Sequence, residues 1–201
     1  MPDSSPLQTS RPLILASTSR YRASLLERFG LPYEARNPAV DEAERAGESP
    51  RGRAFRLSEA KAEAIAAQFP QAIVIGSDQV PATSTTILNK PGNSANCREQ
   101  LKLLSGSTAE FYTACTVRCL ETGVKLSHVD TTAVKLRPLS DAEIDRYIER
   151  EKPFDCAGGF KAEALGIVLF ERIDTEDPTA IVGMPLIWLA GALRAVGFAV
   201  P

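Results

Sequence analysis

The sequence predicts an α/β fold, a mixed twisted sheet flanked by helices and parted into two lobes around a deep cleft. Three features carry that expectation. Short apolar runs alternate with helical periodicity over residues 12–75, which asks for parallel strands covered by helices. Two β-rich segments in the middle of the chain flank Glu121-Thr122-Gly123, which asks for an antiparallel pair. An amphipathic stretch near the end can then close over the sheet.

In order, Pro12 to Ala16 (PLILA) reads as a strand, followed by Ser17-Thr18-Ser19 and a helix in which Leu25, Leu26 and Phe29 share a face before Gly30 stops it. Ser49-Pro50 is an N-cap with proline at the first helical position, and the helical pattern continues to Phe69 before Pro70. Ala72 to Ile75 (AIVI) is apolar throughout, as in a central strand, and is expected to deliver Asp78 to a rim where the strand ends. Asn93 to Leu104 is helical with Gly106 beyond it, and Phe111–Leu120 and His128–Leu136 form the antiparallel pair. Ser140 and Glu143 make a capping box for a helix through Tyr147 and Ile148 that ends before Pro153. Ile167 to Phe170 reads as a further strand and Pro185 to Val196 as the closing helix. Residues 1–10, rich in Ser and Pro, are expected to be a disordered tail, and residues 11–201 a single domain.

Composition narrows the function classes. With 25 acids against 23 Lys and Arg, the net charge of -2 gives no nonspecific grip on nucleic acid or an anionic membrane. An anion must be held by a local cluster. The four cysteines contain no CxxC pair and suit reduced thiols, and Cys115 and Cys119, with only His128 nearby, are too few for structural zinc. The start has no basic region followed by an apolar run, and Met184 to Val200 is interrupted by Arg194 and two glycines. The expected location is therefore the cytoplasm, with no membrane span. Monomer and homodimer both remain open.

Several residues can carry chemistry. Ser17 to Arg22 sits where a strand feeds a helix, whose N-terminus favours an anion; Ser17 and Ser19 add hydroxyls, and Arg22 or Arg20 a guanidinium for phosphate. Asp78, after an apolar strand, needs a partner or a metal. Asp41-Glu42, Lys61 and Lys90 complete a set suited to metal-assisted phosphoryl chemistry. Each has an ordinary alternative: a helix cap, a solvated loop, a helix-surface charge, a turn before Pro91. Serine-nucleophile chemistry lacks a GxSxG motif, and neither a GxxxxGK[ST] loop nor a GxGxxG fingerprint is present.

The segments LILASTSRYRASLLERFGLPYE, VDE, RLSEAKA, IVIGSDQV, NKPG, CAGGFKAE and IVGMPL together resemble the Maf family of nucleoside triphosphate pyrophosphatases, in order from about Leu13 to Leu189. The resemblance implies a Maf/ITPase-like α/β fold, a divalent cation (Mg2+ or Mn2+), and hydrolysis between the α and β phosphates of a small-molecule nucleotide. GSDQ followed by FKAE resembles the branch that converts 7-methyl-GTP to 7-methyl-GMP and pyrophosphate, removing noncanonical nucleotides. The alternatives are the dTTP and UTP branch, or a nucleotide-responsive binding protein in cell division control. Carried over, the pattern makes Asp78 the acidic catalytic residue, with Arg22, Glu42, Lys61 and Lys90 around phosphate and metal. Asp78 either ligates the metal together with Glu42 or activates the attacking water, and Tyr21, Gln79 and Glu163 fall where the family sets base preference. Arg20 stands where most relatives have proline, and is expected to add a phosphate contact.

Base preference also has a physical basis. Guanine presents N1–H and its N2 amino group side by side, two donors that the Glu163 carboxylate can accept together, whereas uracil and thymine offer one. Methylation at N7 makes the ring cationic, so an aromatic face at Tyr21 gains about 0.5 to 2 kcal/mol of cation–π attraction.

Overall fold

A computed structural model describes residues 9–201. Six strands form one sheet in the order β2-β1-β3-β4-β5-β6, with five α-helices around it. β1 (Leu13–Ala16) is parallel both to β2 (Glu34–Ala35), a two-residue strand not foreseen in the sequence, and to β3 (Ile73–Ala82). β3, β4 (Thr108–Arg118), β5 (Lys125–Leu136) and β6 (Phe170–Asp174) then pair antiparallel. The mixed sheet is as expected.

The helices start where their caps dictate. Ser19 caps α1 (Arg20–Glu27), and Gly30 leaves it at φ +65°, a conformation open to a residue without Cβ. The Ser49 hydroxyl accepts from Gly52 N at 3.0 Å to start α2 (Pro50–Ala66), which stops three residues short of Phe69. Asn93 caps α3 (Ser94–Leu104), while the Glu143 carboxylate accepts from the Ser140 N–H at 2.8 Å at the head of α4 (Asp141–Glu151). α5 (Leu186–Ala195) begins after Pro185, which offers no side-chain cap. Asp177 supplies one from a distance by accepting from Ile187 N at 2.6 Å.

The core divides along the sheet. On one face, Leu13, Leu15, Ile73, Ile75, Cys115 and Val117 pack under α1 and α5. Farther along that face, Ala109, Phe111, Val134 and Leu136 pack under α3 and α4. The opposite face belongs to α2, whose Ala62, Ile65 and Ala66 meet Ile14, Ala16, Ala72 and Val74. Gly76 lets α2 lie against the strand: a Cβ there would come within 2.2 Å of Ser58 O and 2.6 Å of Ala62 N.

Two expectations need correction. β3 does not end before Asp78; it continues to Ala82, because β4 pairs with it along its whole length. Its partner on the other side, β1, stops at the Ala16–Gly76 pair. Asp78 therefore stands on a lateral edge laid bare in mid-strand, not at a strand end. Residues 167–170 are also not a strand: Leu165–Leu169 is a 3-10 turn, and β6 begins at Phe170. Gly166 packs on the Lys161 backbone and forces the turn, leaving Ile167 and Val168 in solvent. Of the expected tail, residues 1–8 lie outside the described residues. Thr9 is held by its N–H donating to Gly197 O at 2.8 Å. Among the described residues no helix is long and apolar enough to cross a membrane.

Candidate active site

The bare edge of β3 opens into a cleft of about 860 Å³. Ser17, Ser19, Tyr21, Arg22, Glu42, Lys61, Asp78, Gln79, Lys90 and Glu163 all line it, although they come from six separate stretches of chain. Strand alternation organises the cleft. Successive side chains point to opposite faces, so Asp78 turns toward α2 and Gln79 toward the turn Ala180–Val182.

On the α2 side, the Lys61 ammonium donates to Asp78 Oδ1 at 2.6 Å and meets Glu42 Oε1 at 2.7 Å. Lys61 and Asp78 are 6% and 7% exposed, so their pairing is sheltered from water, and an unpaired charge at that depth would be costly. Glu42 is the accessible member. Burial pushes its carboxyl up, but the Lys61 hydrogen bond and the cations of Lys61, Arg22 and Lys90 outweigh this and hold it below its ordinary value. Its loop is tied down by Arg53, which donates to Glu42 O at 3.2 Å, and by Arg56, which donates to Ala43 O at 3.1 Å. Asp41 accepts from Ala43 N at 2.9 Å and shapes that loop.

At the start of α1 the Ser17 hydroxyl accepts from Ser19 N at 3.1 Å, and Ser19 Oγ lies 3.5 Å from Arg22 N. Arg22 Nε donates to Gly183 O at 3.1 Å, which aims the guanidinium along the cleft wall. Arg20 does not join it. Its guanidinium lies 4.8 Å from the centre of the Tyr21 ring and pairs with Asp155 at 3.3 Å.

The cleft lining also includes the apolar side chains of Leu88, Phe111 and Phe160. Gln79 Nε2 donates to Thr113 Oγ1 at 2.9 Å and to the carbonyls of Ala180 and Ile181 at 3.0 Å. Its nitrogen is thus committed to the protein, leaving Oε1 as an acceptor for a base. Glu163 is exposed and, among the described residues, has no ion pair or hydrogen bond. Reading residues singly missed Arg53, Asp155, Cys156, Phe111 and Phe160 in the lining; Asp155 meets Tyr21 across 134 positions of chain, and no local pattern signals that.

No group of three or more His, Cys, Asp or Glu side chains among the described residues is arranged around a metal. Asp78 and Glu42 nevertheless each engage Lys61 through one oxygen, with no partner for the other among the described residues. Two carboxylate oxygens facing a cleft match the way Mg2+ binds, through one or two carboxylates with phosphates and water completing its shell.

The zinc and serine-hydrolase alternatives gain nothing from the structure. Cys115 and Cys119 are buried thiols, and His128 stacks on Trp188 with ring centres 5.5 Å apart.

Residues 12–196 match the model of the Maf-like protein family. A protein of Albidiferax ferrireducens named 7-methyl-GTP pyrophosphatase is 48% identical over 98% of both chains. Proteins of the same name from Polaromonas sp. (49% identical, 95% of this chain and 87% of that one) and Xanthomonas axonopodis pv. citri (50%, 94% and 98%) are similar along nearly their whole lengths. A solved structure of the Staphylococcus aureus Ham1 protein aligns over 63% of this chain and 72% of its own, with a TM-score of 0.42 and 16% identity, too distant to bear on the site. The family match spans nearly the whole described chain, and the protein belongs to the Maf-like family.

Proposed function

We propose that this protein is a nucleoside triphosphate pyrophosphatase that hydrolyses 7-methyl-GTP to 7-methyl-GMP and pyrophosphate. One observation carries the reading: adjacent residues of β3 point to opposite sides of one cleft, Asp78 to the lysine it shares with Glu42 and Gln79 to the turn Ala180–Val182, in a lining that also carries Phe111, Phe160 and Glu163. A charged cluster on one side and aromatic and hydrogen-bonding groups elsewhere in the lining fit a nucleotide, phosphates at the first and base at the second. The names of the relatives support the same substrate.

At the charged end, Lys61, Lys90 and Arg22 stabilise the negative charge that grows on the phosphates in the transition state. Asp78 receives the proton of the attacking water. The water oxygen bonds to the α-phosphorus, the bond from that phosphorus to the bridging oxygen breaks, and pyrophosphate leaves with the electron pair. Glu42 and Asp78 would hold Mg2+ or Mn2+, which when bound offsets the charge of the triphosphate. At the other end, Glu163 accepts the N1–H and N2 amino donors of guanine. This chemistry belongs in the cytoplasm, where nucleotides meet a reducing pool, and all four cysteines are free.

Pyrophosphate release from 7-methyl-GTP, GTP, UTP, dTTP and CTP, with Mg2+ or Mn2+ present, tests the reading. The highest kcat/KM belongs to 7-methyl-GTP. A preference for UTP and dTTP would assign the chain to the other branch, and no release from any triphosphate would favour a binding protein.

A further inference from the structure

The base end of the cleft contains a cluster that the reaction above does not use. Asp155 Oδ2 accepts from the Tyr21 hydroxyl at 3.1 Å and from Arg20 at 3.3 Å. The same Arg20 nitrogen lies 2.8 Å from the Tyr21 hydroxyl, and its guanidinium covers the ring at 4.8 Å. Cys156 Sγ lies 3.5 Å from that hydroxyl. Burial pushes the Asp155 carboxyl up, but its hydrogen bonds from Tyr21, the backbone and Cys156, together with the nearby Arg20 charge, more than offset this, and it stays ionised. Arg20, Tyr21, Asp155, Cys156 and Glu163 line one wall region of the same cavity.

The arrangement is that of a cation bound by an aromatic face and a carboxylate. The protein fills it with its own guanidinium. Arg20 is mostly exposed, with 72% of its side chain in solvent, so it gives up little packing when it leaves. A planar cation that enters the cleft base-first meets the same two partners.

We infer that Asp155 is a specificity-determining residue for cationic bases, and that Arg20 holds the place of the base over Tyr21 in the free protein. The inference rests on the 7-methyl-GTP reading and deepens it. A 7-methylguanine ring displaces Arg20 and recovers both the ring contact and the attraction of Asp155. Neutral guanine displaces the same arginine but gains nothing from the carboxylate. Asp155 thus adds a second carboxylate beside the cationic ring, next to Glu163, whose hydrogen bonds to N1–H and the N2 amino group are open to both guanines.

The test compares kcat/KM for 7-methyl-GTP with that for GTP in Asp155→Asn and Arg20→Ala, alongside calorimetric affinities for the products 7-methyl-GMP and GMP, which need no turnover. One charge–charge contact across a solvent-edged pocket corresponds to about a tenfold change in preference. Asp155→Asn therefore lowers the 7-methyl-GTP to GTP ratio about tenfold and lowers the product affinity ratio in parallel. Arg20→Ala keeps the ratio at or above that of the parent protein, because the competing cation is gone. A ratio within twofold of the parent in Asp155→Asn, or an equal fall in both variants, overturns the inference, the second outcome marking the pair as merely structural. Asp155→Glu, which keeps the charge, restores the preference. If the parent protein itself releases no pyrophosphate from 7-methyl-GTP, it is the parent reading that fails.

Discussion

Replacing Asp78 with Asn separates the catalytic role of this residue from its structural one. The lost interaction is a 2.6 Å contact between Lys61 and Asp78, side chains only 7% and 10% exposed. Removing one partner of such a pair outright costs about 3–5 kcal/mol. Two features reduce that here. The asparagine carbonyl still accepts from Lys61, and Glu42 at 2.7 Å still balances the ammonium. What remains is the difference between a charged and a neutral hydrogen bond, about 1–1.5 kcal/mol. For a chain of this size that lowers Tm by roughly 2–6 °C and leaves the protein folded at 25 °C. Turnover should fall far more, by about a hundredfold or beyond, because the proton acceptor is gone. Pyrophosphate release under saturating 7-methyl-GTP, measured beside a circular dichroism melt, reads both effects. A kcat within about threefold of the parent, accompanied by the lowered Tm, would place the base elsewhere and reduce Asp78 to a partner of Lys61.

Glu163→Gln presents one donor and one acceptor where the guanine edge needs two acceptors, so kcat/KM for 7-methyl-GTP falls about tenfold or more relative to dTTP or UTP; an unchanged ratio removes Glu163 from the base pocket. Chelation with EDTA stops pyrophosphate release yet shifts Tm by less than about 1 °C, since Lys61 already pairs with both carboxylates without a metal, and a large fall in Tm would instead make the metal part of the fold. The Glu143 carboxyl is held down to about 2, from an ordinary 4.5, by the Ser140 N–H and hydroxyl and by Arg137. Because the folded value is depressed, its stabilisation is present above pH 4.5 and is lost as pH falls toward 2. The Tm gap between the parent and Glu143→Gln therefore narrows across that window, and a constant gap from pH 7 to pH 2 would contradict the capping role.

The elements that were legible in the sequence are those governed by local chemistry. Ser49-Pro50, Asn93 and the Ser140–Glu143 box mark helix starts because a cap and the N–H groups it satisfies lie within three residues of each other. AIVI reads as a central strand because covering both faces requires apolar residues at every position. The far end of β3 was not legible. Ser77, Gln79 and Pro81 look like the close of a strand, and only pairing with β4 out to Glu110 extends the strand past them. The turn at Leu165–Leu169 was hidden for a similar reason: LGIVLF has the apolar run of a strand, but Gly166 is pressed on the Lys161 backbone, a contact outside the run itself.

The candidate site divides along the same line. Its residue types and their motifs follow from the order of amino acids, which also carries the family resemblance that the match over residues 12–196 bears out. The sequence therefore determined the fold class, the helix caps and the inventory of charged groups. Tertiary structure decided which charges meet: Lys61 between Asp78 and Glu42, Arg22 on Gly183, and Arg20 on Tyr21 and Asp155. The physical reason is range. Capping and strand periodicity act over a few residues, whereas the electrostatic balance of a cleft depends on distances through space between positions that the chain separates by as many as 161 residues.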